Sequence, residues 1–106
     1  MTIALIVHGG AGSWRPGSDE DALRGTTAAV AAGRDILEAG GSALDAAVAA
    51  SVVLEDNPIF NAGNGAVLNF DGFVEFDACV MVSASSYSHK APFFSHTKFL
   101  DEIRFF

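Results

Sequence analysis

Two predicted helices of this chain meet at the stretch Gly40-Gly41-Ser42-Ala43-Leu44-Asp45-Ala46. Glycine ends helices because the residue just past the last turn favours a left-handed backbone, which glycine adopts without steric cost. Ser42 is a preferred N-cap residue, and Asp45, three positions later, completes a capping-box pattern. The stretch therefore predicts that one helix ends at Gly40-Gly41 and that another begins at Ala43.

The segment before this junction predicts a helix that begins after Ser18. Ser18 is a second candidate N-cap, and Asp21 is placed to close a capping box with it. Leu23, Val30 and Leu37 recur every seven residues, so we expect them to form the buried face of this helix.

The second helix is predicted to run to about Glu55, because Pro58 prevents its continuation. Leu44, Val48 and Val52 repeat at helical spacing and predict its buried stripe. Alanines fill the positions between them and allow close packing against a neighbouring element.

Strand-like patterns flank the helices on both sides. Residues 3–7 form a short apolar run of the kind found in buried strands. Residues 66–70 and 73–82 surround Asp71-Gly72, a strong signal for a β-hairpin. The order of strand, two helices and hairpin predicts an α+β fold with helices layered on a largely antiparallel sheet.

Composition excludes several classes of function. The net charge of −7 and a pI near 4.6 argue against nucleic acid as a partner, because phosphate binding requires clustered basic residues. No apolar run reaches the length of a membrane span, and we expect no membrane association. A single cysteine, Cys79, cannot form an intrachain disulfide, which favours the reducing cytoplasm.

The character of the sequence changes near residue 82. Residues 1–82 contain three arginines and eleven acidic residues, whereas residues 83–106 carry a net charge of +1 and are rich in serine and aromatic residues. We therefore divide the chain into residues 1–82, the organised part, and residues 83–106, a divergent tail. The tail is either a genuine appendage or the product of a frameshift or truncation, and its terminal Phe105-Phe106 favours the second explanation.

Two glycine-rich loops are the candidates for chemistry. The loop His8-Gly9-Gly10-Ala11-Gly12 follows the first strand, and its backbone N–H groups could hold an anion or a developing oxyanion. It lacks the spacing of a P-loop or a dinucleotide-binding motif, and an ordinary structural turn explains it as well. The loop from Leu54 to Gly65 could ligate a hard monovalent cation through inward-facing carbonyls, or simply connect a helix to a strand.

Five blocks of sequence, taken together and in order, resemble the N-terminal part of the plant-type L-asparaginase and isoaspartyl peptidase family. These blocks are the His8–Gly12 loop, Gly40–Ala46, Phe60-Asn61-Ala62-Gly63, Gly65-Ala66-Val67-Leu68 and Glu75-Phe76-Asp77-Ala78-Cys79-Val80-Met81. The resemblance covers residues 3–81.

The resemblance implies an α-β-β-α sandwich of N-terminal-nucleophile hydrolase type, which this chain would form only in part. Members of the family cleave their own precursor before a threonine, whose hydroxyl then acts as nucleophile and whose α-amino group acts as base. The implied reaction is hydrolysis of asparagine or of isoaspartyl dipeptides.

The resemblance also assigns roles to residues of this chain. Asn61 matches a polar residue beside the catalytic threonine, and His8, Gly9 and Gly10 match a loop that approaches the cleavage point. No catalytic cofactor is implied. A structural sodium ion is implied, held by the backbone carbonyls of Leu54, Glu55, Asn57, Phe60, Ala62 and Asn64.

The sequence departs from the family after Met81, and no residue matches the catalytic threonine. Thr97 lacks the Gly-Thr-Val-Gly context of the family's cleavage point. We therefore expect an N-terminal asparaginase fragment that is inactive alone. The alternatives are one half of a split enzyme, with a complementing C-terminal half as partner, and a non-enzymatic interaction module. Homo-oligomers are a further expectation from the family.

Overall fold

A computed structural model of the chain describes residues 2–82, which contain two α-helices and one short 3₁₀ turn. The chain divides into two units, residues 1–75 and 76–106. Both helices and the 3₁₀ turn lie in the first unit, and residues 76–82 of the second have no regular secondary structure. The predicted tail, residues 83–106, lies outside the described residues.

Helix α1 spans Asp19–Glu38, close to the prediction, but its N-terminus is not capped as expected. Ser18 has a helical backbone conformation and makes no side-chain cap bond. Its hydroxyl instead donates to the carbonyl of Arg15 at 2.7 Å, and this carbonyl also accepts from the Ser18 N–H. The predicted capping box with Asp21 was therefore wrong, because the turn before the helix occupies the Ser18 hydroxyl.

The junction between the helices forms as predicted. Gly40 has a φ of 83°, and its N–H donates to the carbonyl of Leu37 at 3.0 Å. The Gly41 N–H donates to the carbonyl of Ile36 at 2.9 Å. These two bonds define a Schellman motif, in which a left-handed glycine satisfies the last carbonyls of the helix.

Helix α2 spans Ala43–Asp56 and is capped by Ser42, as expected. The Ser42 Oγ accepts from the Asp45 N–H at 3.0 Å and lies 2.7 Å from Asp45 Oδ2, to which it donates. Because Ser42 has an extended backbone, its side chain can reach the free N–H groups of the first turn.

The two helices pack through small residues, and none of the six larger residues predicted to be buried is fully buried, although Val30, Leu37 and Val48 are half-buried. On α1 the buried residues are Gly25, Ala29 and Gly33, and on α2 they are Ala46 and Ala50. Larger residues that we expected to be buried, namely Leu23, Leu44 and Val52, are exposed. Spacings of four residues bring these glycines and alanines onto one face of each helix, so the backbones approach closely.

Gly33 shows how close this approach is. A Cβ atom at Gly33 would lie 2.6 Å from Leu5 Cδ2 and 2.9 Å from the carbonyl oxygen of Ala46. Real Cβ atoms essentially never come within 3.0 Å of a neighbouring heavy atom. Gly33 thus faces the start of α2, whereas Gly25 faces Asn57 just past its end, and the helices form an antiparallel αα-hairpin.

No β-strand forms within residues 2–82, although three were expected. Exposure alternates only from Ala4 onward: Leu5 and Val7 are half-buried, whereas Ala4 and Ile6 are exposed, and Ile3 is exposed as well. The run was expected to be a buried strand, and within residues 3–7 only Leu5 and Val7 are half-buried. The expected hairpin turn does form, because the Asn69 N–H donates to the Phe73 carbonyl at 2.7 Å and Gly72 has a φ of 83°.

Candidate functional site

An open depression of about 440 Å³ lies between the glycine loop at residues 8–14 and the segment after α2. Its lining includes His8, Gly9 and Gly10 on one side and Asn61 on the other. The family resemblance assigned supporting roles to these four residues, and the structure brings them together around one concave surface.

His8 is held by its own loop. The Gly10 N–H donates to His8 Nδ1 at 3.0 Å, across an exposed two-residue turn. Nδ1 is the acceptor in this bond. Gly10 has a φ of 109°, a backbone conformation that residues other than glycine rarely adopt. Because His8 already accepts from this amide, the Gly10 N–H is not free to bind an anion.

Asn61 is oriented by the chain that follows it. Its Oδ1 accepts from the Val67 N–H at 2.9 Å, and the side chain is exposed at the depression. This bond joins the loop after α2 to the start of the predicted hairpin. Because Oδ1 is occupied, the Nδ2 amino group, a hydrogen-bond donor, is the part of the Asn61 side chain that could contact a substrate.

The segment after α2 folds back on itself through Gly63–Gly65, the 3₁₀ turn. A Cβ atom at Gly63 would collide with the carbonyl oxygen of Glu55, and one at Gly65 would collide with those of Pro58 and Phe60. Two of the six carbonyls assigned to sodium, those of Glu55 and Phe60, therefore face the turn.

Two further assigned carbonyls already accept hydrogen bonds. The Asn57 carbonyl accepts from the Phe60 N–H at 3.2 Å, and the Ala62 carbonyl accepts from the Gly65 N–H at 2.9 Å. A carbonyl oxygen has two lone pairs, so one hydrogen bond leaves room for a cation. No group of three His, Cys, Asp or Glu side chains suited to a metal ion occurs in the described residues.

Trp14, Ser51 and the ring of Phe60 are among the groups lining the depression that the sequence did not indicate. Trp14 is partly exposed, and its ring meets that of Phe60 edge-on, with centroids 5.9 Å apart and planes at 88°. Trp14 is the only tryptophan of the chain, and this was the one feature of the sequence that could have indicated a role for it. Ser51 lies in the middle of α2 and carries no local motif.

The hydroxyls of the two threonines in α1 are engaged by their own helix. The Thr26 hydroxyl donates to the carbonyls of Ala22 and Leu23, and the Thr27 hydroxyl donates to that of Leu23. Both groups therefore bond to the backbone of their own helix. Thr97 lies outside the described residues. Neither helix in the described part of the chain is long and apolar enough to cross a membrane.

Comparison with known proteins identifies the family. The family model described as "Asparaginase" matches residues 1–88, and the chain belongs to this family. It is 55% identical over 80 residues to a plant-type L-asparaginase of Pyrococcus abyssi, covering 74% of this chain and 26% of that protein. It is 46% identical over 82 residues to the isoaspartyl peptidase/L-asparaginase of Rattus norvegicus, covering 76% of this chain and 25% of that protein.

A third relative, the isoaspartyl peptidase/L-asparaginase of Danio rerio, is 48% identical over 81 residues. The resemblance inferred from the five sequence blocks is thus confirmed. The chain spans about a quarter of the length of these relatives, and it matches their N-terminal part.

Proposed function

We propose that this chain is the N-terminal part of an amidohydrolase that acts on L-asparagine or β-aspartyl dipeptides, and that it is inactive alone. The observation that carries the proposal is the meeting of the His8–Gly10 loop and Asn61 at one depression. The chain would supply a polar wall of the site, in which the Asn61 amide is oriented through its bond to Val67.

The nucleophile would come from a complementing portion, as a threonine with its own α-amino group as base. In support, the hydroxyls of Thr26 and Thr27 are bound to helix carbonyls. The matched relatives are about four times as long as the region that they share with this chain. The chain would therefore have a function as one half of a split enzyme.

We further propose that the complementing portion completes an α-β-β-α sandwich, with residues 3–7 and 66–82 as strands. Two observations support this. The turn at Asn69–Phe73 already reverses the chain, and apolar residues on both sides of it, including Val67 and Phe73, are exposed. Strands require partners for their backbone groups, and the described residues do not provide enough of them.

The loop after α2 is proposed to bind sodium through backbone carbonyls. The facing of the Glu55 and Phe60 carbonyls toward the 3₁₀ turn supports this. An ion there would order the loop that carries Asn61. We also place the chain in the cytoplasm, since its one cysteine, Cys79, is an exposed free thiol.

The test is release of ammonia or aspartate from L-asparagine, measured for the purified chain alone and after mixing with the C-terminal three-quarters of a relative. Circular dichroism on the same samples reports whether the helices are present. We expect a helical chain that is inactive alone and active in the mixture. Hydrolysis by the chain alone would contradict the proposal, and Thr97 would then be the first residue to replace.

Asn61→Ala gives the residue-level control. In the mixture it should lower activity by about 100-fold, the usual loss when one preorganised polar group is removed from an active site. Thr27→Ala, on an exposed position of α1, should leave activity within about twofold. A helical chain that assembles with the complement but remains inactive would favour the interaction module.

A further inference from the structure

Phe60 lies where three parts of the first unit meet. It is 2% exposed and is the one large side chain in the buried core of the described residues. Its ring contacts Gly9 in the loop, Gly25 on α1, and Trp14 edge-on. Phe60 itself belongs to the segment after α2, immediately before Asn61.

The Phe60 ring packs directly against two glycines. A Cβ atom at Gly9 would lie 2.8 Å from Phe60 Cε1. One at Gly25 would lie 2.6 Å from Cε2 and 2.7 Å from Cζ. Any side chain at either position would therefore displace the ring. The two glycines lie on different elements, so the ring fixes the distance between them.

The two residues that flank this packing belong to the candidate site. Gly9 separates His8 from Gly10, whose hydrogen bond shapes the loop. Asn61 follows Phe60 directly, so the position of the ring determines the position of the Asn61 backbone. The hydrogen bond from Val67 then sets the Asn61 side chain.

We propose that Phe60 is a positioning residue that couples the His8–Gly10 loop to Asn61. The inference rests on the proposed function, in which these residues form one wall of the site. It assigns Phe60 a role through its ring, separate from the role of its carbonyl in the sodium loop.

The test uses two backbone amides, one on each side of the ring, in the full 106-residue chain. The Gly10 amide reports on the bond to His8, and the Val67 amide reports on the bond to Asn61. In Phe60→Leu, hydrogen exchange of both should accelerate by about tenfold through local opening. The Ala50 amide in α2 should not change, and emission of Trp14 should shift to longer wavelength as its ring loses its aromatic neighbour.

Gly25→Ala is the second variant, because its Cβ atom would displace the Phe60 ring without removing it; the same atom would also lie 2.8 Å from Asn57 Nδ2. Alanine is a better helix former than glycine, so α1 itself is not weakened. We expect the same paired acceleration at Gly10 and Val67. Gly12→Ala is the matched control, since a Cβ atom there meets nothing within 4 Å, and it should change neither amide.

Two results would overturn the coupling. One is faster exchange at only one of the two amides in both variants. The other is faster exchange at both amides that occurs only when exchange at Ala50 is also faster. If Phe60→Leu fails to fold, Gly25→Ala decides alone by the same criterion. Neither amide depends on catalysis. Coupled amides in a chain whose mixture with the complement stays inactive would count against the proposed function and not against this role of Phe60.

Discussion

Gly33 is the residue on which the packing of the two helices most directly depends. A side chain there would meet the Ala46 carbonyl, which is backbone and cannot rotate away. We expect Gly33→Ala to lower the free energy of unfolding by about 1–3 kcal/mol, because overpacking outweighs the gain of about 1 kcal/mol in helix propensity. Urea denaturation followed by circular dichroism measures this change.

Gly12→Ala serves as the control for Gly33→Ala, because its new methyl group would lie in open space. It should change the free energy of unfolding by less than about 0.5 kcal/mol. A Gly33→Ala variant as stable as the parent chain would show that the helices are farther apart than described.

Ser42 makes the clearest single contribution to a helix end. Ser42→Ala removes the bond from the Asp45 N–H and the bond to the Asp45 carboxylate. The expected loss is about 1 kcal/mol of stability, the typical cost of an N-cap. Ser51→Ala, at an exposed position inside the same helix, should be neutral or slightly stabilising in the same urea titration. Equal effects of the two substitutions would exclude a capping role.

At the scale of the elements, the loop after α2 provides the test for sodium. Replacing sodium chloride by choline chloride at equal ionic strength should accelerate exchange at the Gly65 amide, which donates to the Ala62 carbonyl. The expected change is about tenfold if the ion orders the loop. The Gly40 amide, in the Schellman motif far from this loop in sequence, should show no dependence on the cation. Identical exchange at Gly65 in both salts would rule out the ion.

The helix ends could be predicted from sequence because their causes are local. The Ser42 cap and the Gly40-Gly41 motif each depend on residues within one turn of one another. At Ser18 the same logic failed, since the Arg15 carbonyl competes for its hydroxyl. That competition depends on how the preceding loop folds.

The buried faces could not be predicted in this way. Leucine and valine at helical spacing indicate a buried stripe, yet Gly25 and Gly33 are buried while Leu23 and Leu44 are exposed. Hydrophobicity indicates which residues gain free energy from burial. Close approach of two helix backbones depends instead on where the side chains are small. For the same reason, the packing of the Phe60 ring against Gly9 and Gly25 could not be predicted from the sequence.

At the scale of the molecule, the described residues expose much apolar surface. Ile6 is 93% exposed and Phe70 is fully exposed, although both lie in runs that the sequence assigns to strands. A sheet needs partners distant in sequence, so the pattern of these runs could be predicted from sequence but their pairing could not. The site is similar: His8 and Asn61 were predicted, whereas Trp14 and Ser51 were found only from the fold.

This surface predicts strong binding of the dye ANS by the isolated chain. The double variant Ile6→Ser, Phe70→Ser should reduce ANS fluorescence and change the free energy of unfolding by less than about 0.5 kcal/mol. Leu5→Ser is the matched comparison. Leu5 lies against Gly33, and its replacement should destabilise the chain by about 2–4 kcal/mol. Unchanged dye binding in the double variant would mean that these residues are covered.

The small residues between the helices also determine how the chain responds to heat. Heat capacity rises on unfolding mainly through hydration of newly exposed apolar surface. Ala29, Ala46 and Ala50 each contribute one methyl group, and the Phe60 ring is the only large contribution within the described core. For the described residues we therefore expect a small heat-capacity increment on unfolding. We also expect a shallow stability curve and melting of the helix pair over a wide interval of temperature, which scanning calorimetry would measure.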